Sequence, residues 1–241
     1  MEKEVIGNYK KKLLEVTKIL LNRGVYEYTA GHASVRIPGT DLILIPGHIH
    51  PERRTIDSIT EEDLSLIDLD GNLVEGRLSP PNEKYIHTEI YKVRKDVGSV
   101  VHSHPKVVNA LSIAGKEILP ISLRSAVFYP KVPIHPFPGE IGTPALGKEF
   151  AQFLGEGVAI VQQGHGAITV GADLEKACVI TILLEDCAEL QWMVMTMGPP
   201  RILPEDYLQG RVLAGSQSWE FFSNPWVYYY NKYIARRSDQ K

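Results

Sequence analysis

The sequence predicts one α/β or α+β domain, and three observations carry that expectation. Segments whose apolar residues recur three and four apart alternate with short β-branched runs bounded by glycine and proline. No internal repeat, low-complexity linker or composition break divides the 241 residues, a length at which a sheet-rich fold commonly stays whole. A hydrophobic share of 44% against 23% charged residues provides for a sizeable core.

The elements follow in order. Ile6, Tyr9, Leu13, Val16 and Leu20 mark an opening helix, and Gly24 stands where a left-handed residue would end it. "GHASVRI" and "DLILIP" are short strands joined through Pro38-Gly39. The loop "GHIHPERRTIDS" precedes "DLSLIDLDGNLVEG", whose Asp70-Gly71 predicts a hairpin. Asp68 and Asp70 lack the ligands that would follow in a calcium loop, so a plain turn is preferred. "SPPNEKYIHTEIYKVRKD" is helical, with its prolines early, Glu83 in or near the first turn, and Ile86 and Ile90 on one face. "GSVVHS" is a strand ended by Pro105, which is also suited to open the helix "PKVVNALSIAG" before Gly115.

The prolines of "YPKVPIHPFPGEIG" indicate an edge or irregular strand. Thr143-Pro144 makes an N-cap and first residue for "PALGKEFAQFL". "GVAIVQQGHGAITVG" reads as two strands hinged at Gly164 and Gly166, and the longest helix runs from about Asp173 to Met195, apolar on more than one face and hence buried. The tail from about residue 200 to 241 is aromatic. Trp219, Phe221, Phe222, Trp226 and Tyr228 to Tyr230 read as packing or subunit-interface residues.

Charge and composition narrow the function. A formal net charge of −3 gives no broad attraction to phosphate backbones or anionic membranes, so neither nucleic acid nor membrane is expected as a partner. The charged start "MEKEVIGNYKKKLLEV" is no secretory signal, and no apolar run approaches the roughly 20 residues that span a bilayer. The two cysteines, Cys178 and Cys187, fall nine apart in one helix, about 180° around it, so they cannot bridge. They read as free thiols in a reducing compartment, and a cytoplasmic location is expected. Neither a P-loop nor a "GxGxxG" after a strand appears.

The chemistry concentrates in histidines. His102 and His104 point to the same face of their strand, with α-carbons roughly 6.5 to 7 Å apart, a comfortable bite for one metal ion. The competing reading, two satisfied polar groups beside a core, stands about level with it. His165, flanked by glycines that let its imidazole project, is the natural third ligand. Three neutral nitrogens with a position left for water or substrate suit catalytic zinc or a related ion. Such chemistry needs a proton carrier, for which Glu83 is the candidate, with His87 and Glu89 as alternatives on the same helix. The plain alternative is that Glu83 only complements the positive end of its helix.

Together, "GHASVR", "NEKYIHTEIY", "VVHSHP" and "QQGHGAITVGADLEKA", in this order and spacing, resemble the class II aldolase/adducin family from about residue 8 to 195. The resemblance implies a three-layer α/β single domain over residues 1–241, with a central, largely antiparallel sheet between helix layers. It implies a homotetramer with active sites between neighbouring subunits, which borrow a C-terminal tyrosine from a neighbour. It also implies metal ligation by His102, His104 and His165, with Glu83 as the acid/base group. The metal it implies is one divalent ion per subunit, zinc first, with manganese, cobalt or iron as alternatives.

The family spans sugar-phosphate aldolases, an epimerase, a dehydratase, decarboxylases and the non-catalytic head of adducin. Against the sugar-phosphate pattern, His32 replaces an asparagine, Pro81 and Asn82 stand where a serine pair is usual, and Pro46 precedes Gly47 where threonine is typical. Proline offers an oxyanion neither N–H nor hydroxyl. Arg36, Arg124, His48, His50, Arg53 and Arg54 supply cations and donors instead, and arginine binds a carboxylate bidentately. For Arg53 and Arg54 a solvated loop is the preferred reading. His32, Arg36, Gly47, Asn82 and Arg124 are the candidate substrate contacts.

The expectation is a metal-dependent lyase acting on a small, non-phosphorylated hydroxy carboxylate, by decarboxylation ahead of retro-aldol cleavage, with a protonated Glu83 quenching the enolate. A sugar-phosphate aldolase or epimerase and a non-catalytic adducin-like module are the alternatives.

Overall fold

In the computed structural model, which describes residues 2–28, 30–48, 55–213 and 219–235, helix α1 (Glu2–Asn22) leads into strands β1 (His32–Arg36), β2 (Ile43–Pro46), β3 (Leu64–Ile67) and β4 (Leu73–Glu75). Helix α2 (Lys84–Val93), β5 (Ser99–Ser103), α3 (Lys106–Ile113), β6 (Ile134–His135) and α4 (Pro144–Leu154) follow. β7 (Ala159–Gln162), β8 (Gly166–Gly171), α5 (Leu174–Met197), α6 (Glu205–Leu213) and α7 (Trp219–Tyr230) complete the order. The strands form one eight-stranded sheet in the order β4-β3-β2-β1-β5-β8-β7-β6, antiparallel except for the edge pair β6 and β7.

Strand alternation sorts the core into layers. Ile43, Ile45, Val100, Ile160, Ile168 and Val170 point to one face, where Ile86 and Ile90 of α2 and Phe150 of α4 cover them. Their neighbours Leu44, Val35, Val101 and Ala167 point to the other face, under α1, α3 and α5. Because both faces are covered, central strands such as "LILIP" and "SVV" are apolar throughout rather than alternating. α5, apolar on more than one face, is buried along most of its length, and an Asp173 carboxylate caps it by accepting from Lys176 N–H at 2.7 Å.

Several local expectations are met. Gly24 is left-handed with φ +70° just beyond α1, and Thr143 caps α4 with Pro144 at its first residue. Asp68 makes a plain turn, accepting from the backbone N–H groups of Asp70 and Asn72. Two differ. Pro80 and Pro81 stand ahead of α2 and not within it, and Glu83 is its N-cap residue, with no side-chain cap. Pro105 likewise precedes α3 with extended ψ 130°.

Both cysteines are buried and free. No helix among the described residues is long and apolar enough to cross a membrane. Part of the aromatic tail packs inward: Phe222 is fully buried, and Trp226, Tyr229 and Tyr233 lie against the core of α1 and α5.

Candidate metal centre

The sheet gathers the site at one end of its central strands. His102 is directly opposite His32 in the β1–β5 register, on the α2 face. His104 lies just past β5, where its N–H donates to the Val25 carbonyl at 3.0 Å. His165 comes from the β7–β8 turn, between left-handed Gly164 and Gly166.

The ligand atoms of His102, His104 and His165 all lie within 4.8 Å of one another, and the Nε2 atoms of His102 and His104 are 3.0 Å apart. Zinc–nitrogen bonds of about 2.0–2.1 Å set tetrahedral nitrogens roughly 3.4 Å apart, so one ion fits with a small closure of the third ring.

Supports behind the rings fit the same group. His165 Nδ1 donates to the Pro138 carbonyl at 3.0 Å, which leaves Nε2 with its lone pair. α3 holds the turn, since Asn109 Nδ2 donates to the His165 carbonyl at 2.8 Å and Ser112 Oγ accepts from Gly164 N–H at 3.0 Å. α3 is seated in turn by Glu185 of α5, whose carboxylate accepts from Val107 and Val108 N–H at 2.9 and 3.0 Å. Burial, with the neighbouring rings of His102 and His165, pushes His104 down to about 3, so it offers a neutral nitrogen at ordinary pH. His102 Nδ1 departs from this pattern, being buried without a partner among the described residues.

Glu83 faces the triad. Its Oε2 lies 3.4 Å from His102 Nε2 and its Oε1 3.8 Å from His165 Nε2, while Oε1 also accepts from Ile141 N–H at 3.1 Å. Burial alone would raise this carboxyl, but His102, His32 and the Ile141 N–H together hold it well below the usual carboxylate range. A carboxylate held this low is free to take up a proton before giving one away. Three imidazoles and an N–H converge on the carboxylate, and it rests ionised.

The other sequence candidates divide. His32 joins the cluster, with Nε2 3.9 Å from Glu83 Oε2 and 12% of its side chain exposed. His87, an alternative proton carrier, is buried behind His32 with both ring nitrogens engaged. Glu89 pairs with Lys92 at 2.8 Å. Arg36 lies four residues along β1 from His32, roughly 13 Å away, and its guanidinium donates to the Tyr91 carbonyl and covers the Tyr91 ring. Arg124 is exposed beside the Asp186 carboxylate of α5, which pairs with Arg23, so within one chain it belongs to that group and not to the triad.

Gly47 flanks His32 when the β1–β2 register is continued, but its N–H donates to Asp63 O at 2.8 Å, and His48 N–H donates to Ser79 O at 2.6 Å. Asn82 is exposed next to Glu83. His50, Arg53 and Arg54 lie outside the described residues. Ser34 and Tyr91 went unnoticed in the sequence, although Ser34 sharing a strand face with His32 was a signal.

Fold and site define a class of protein: a sheet that gathers three imidazoles around a place for one divalent ion, with a carboxylate opposite. The description "Class II Aldolase and Adducin N-terminal domain" matches residues 11–192. A 3,4-dihydroxyphthalate decarboxylase from Arthrobacter keyseri is 31% identical over 193 residues, covering 75% of this chain and 76% of that protein. A 5-deoxy-D-ribulose 1-phosphate aldolase from Bacillus thuringiensis serovar kurstaki is 26% identical over 86% of this chain and 92% of that protein. The fold is shared with an aldolase II superfamily protein from Pseudomonas syringae at TM-score 0.81 and 22% identity, over 98% of this chain and 94% of that one. The chain belongs to the class II aldolase and adducin family, as a lyase whose histidine triad suits a divalent metal.

Proposed function

We propose that this lyase decarboxylates a small, non-phosphorylated carboxylic acid bearing a hydroxyl beside the carboxylate, aromatic or β-keto in type. The observation that carries the reading is the state of the chain beside His32. Pro46 has no N–H, and the Gly47 and His48 N–H groups are spent on Asp63 and Ser79. That stretch has no amide to offer a phosphate dianion. The kinship with a dihydroxyphthalate decarboxylase adds support.

A divalent ion held by His102, His104 and His165, zinc first among the candidates, supplies a Lewis acid that tolerates the charge left when the carbon–carbon bond breaks. Glu83, ionised at rest, takes the proton of the substrate hydroxyl, or one from solvent where the substrate is a β-keto acid, and returns it to the carbon that carried the carboxylate once carbon dioxide has left. Carbon dioxide leaves, the bonding pair stays with the substrate, and a product oxygen that gave up its proton regains one from solvent. His32 is the polar group beside Glu83 outside the triad, and it orients the departing carboxylate. Arg124 and a C-terminal tyrosine reach a neighbouring site in a homotetramer, for which exposed Leu190, Trp192, Met193 and Met197 on α5 provide apolar surface. The buried free thiols agree with a cytoplasmic location.

The test is carbon dioxide release by protein supplied with zinc or manganese, across ortho-hydroxy aromatic, pyridine and β-keto acids, with His104→Ala as blank. Metal-dependent release that a chelator abolishes supports the reading. The second reading is a sugar-phosphate aldolase, favoured by relatives such as the ribulose-phosphate aldolase. Aldehyde formation from a sugar phosphate, with no release from any acid, would establish it instead. Failure to bind metal at neutral pH would point to an adducin-like binding module.

A further inference from the structure

Behind His32 runs a buried chain of polar groups that the proposed reaction does not use. His32 Nδ1 lies 2.7 Å from His87 Nε2, His87 Nδ1 lies 2.7 Å from Ser34 Oγ, and Ser34 Oγ lies 2.8 Å from the Tyr91 hydroxyl. His87, Ser34 and Tyr91 are each fully buried, so water cannot exchange partners with them. A neutral imidazole carries one N–H and each hydroxyl one O–H, so fixing one proton fixes all the rest.

Two arrangements exist. In the first, Tyr91 donates to Ser34, Ser34 donates to His87 Nδ1, and His87 Nε2–H donates to His32 Nδ1, leaving His32 with an N–H at Nε2. In the second, every bond reverses, Tyr91 turns to the Gly98 carbonyl at 3.4 Å, and His32 Nε2 becomes a bare lone pair.

Geometry favours the first at both ends. In the second the Tyr91 proton is left to the Gly98 carbonyl at 3.4 Å, a long bond, whereas in the first it is given to Ser34 Oγ at 2.8 Å. The Arg36 guanidinium sits 4.8 Å from the centre of the Tyr91 ring, and a cation there makes the phenol a better donor. At the other end, His32 Nε2 is 3.9 Å from Glu83 Oε2, where a lone pair would face an anion and an N–H faces it favourably.

We propose that His87, backed by Ser34 and Tyr91, is a positioning residue that locks His32 in its Nε2–H form. The site then presents a substrate carboxylate with a neutral donor beside the triad, not a fourth nitrogen ligand. Arg36 thereby acts at the inner end of the relay. The carboxylate half of this inference rests on the function proposed above, whereas the tautomer half does not.

The experiment is ring-¹⁵N histidine labelling with long-range proton–nitrogen correlation, on metal-free and zinc-loaded protein, with His32→Gln assigning the His32 signals. Salicylate is the binding probe, followed by calorimetry on the zinc-loaded protein. The expected result is His32 protonated at Nε2 in both forms. His87→Leu should lose the fixed tautomer and bind salicylate about ten- to a hundredfold more weakly, with zinc stoichiometry unchanged. His87→Gln, whose amide both donates and accepts, should restore most of the affinity.

A wild-type His32 protonated at Nδ1 overturns the proposal whether or not His87→Leu folds. Salicylate binding that is absent in the wild type, or undiminished in His87→Leu, overturns its carboxylate half. Because the tautomer is read without turnover, a failed carbon dioxide assay beside an Nε2-protonated His32 removes the reaction and leaves the relay.

Discussion

Replacing Gly166 by alanine should disarm the metal site through geometry alone. Gly166 opens β8, and its φ lies outside the left-handed region, so an added methyl brings no backbone strain. The new Cβ would stand 2.7 Å from His104 Cδ2 and 3.3 Å from His102 Cε1, with the Ser103 carbonyl oxygen closer still. Carbon atoms rest at about 3.5–4.0 Å, so the His104 ring must move by roughly 0.8 Å or more, and the strand carrying both ligands must shift with it. Overpacking of this kind costs about 1–3 kcal/mol of stability. Disturbed support of metal ligands costs about 10- to 100-fold in affinity.

The assay is zinc affinity by competition with a chelating dye, alongside urea unfolding of the metal-free protein. Gly164→Ala is the control. Gly164 has φ +68°, but among the described residues a Cβ there meets only Ile113, at 3.6 Å. It should therefore lose about 1–2 kcal/mol of stability while changing zinc affinity less than Gly166→Ala. Zinc affinity in Gly166→Ala within about threefold of wild type, well short of the expected loss, would refute the claim that this glycine makes room for the two ligands.

Asn109→Ala removes the donor that holds the His165 carbonyl, so it should cost about 1–2 kcal/mol in urea unfolding and weaken zinc by about tenfold. Asp173→Ala removes the α5 cap and should cost about 1 kcal/mol without altering zinc affinity. In the metal-free protein, burial followed by the neighbouring His102 pushes His32 down to about 3, and His104 falls as far. The unfolded chain therefore takes up these protons first. Stability should be full above pH about 6.5 and decline toward pH 3, by at most about 1.4 kcal/mol per pH unit for each ring. Unfolding free energies that stay flat between pH 6.5 and 5 would contradict that burial.

The sequence by itself marked most of the elements as far as α5, and the candidate ligand set. Periodicity marked α1 and α5, Asp70-Gly71 marked the hairpin, and Thr143-Pro144 marked the start of α4, because caps, turns and apolar spacing act within a few residues of one another. The His-x-His pair was legible for the same reason, since strand alternation puts residues two apart on one face. His165 and Glu83 stood out only through flanking glycines, a nearby helix start and the family pattern.

Tertiary structure alone decided how these groups meet. It opposed His32 to His102 across β1 and β5, left Glu83 ionised among imidazoles, drew Arg36 onto Tyr91, and spent the Gly47 and His48 amides on Asp63 and Ser79. Protonation, tautomer and the availability of a donor depend on partners dozens of residues away, brought together only when the strands pair and the helices cover them. No local pattern in the chain encodes those distances.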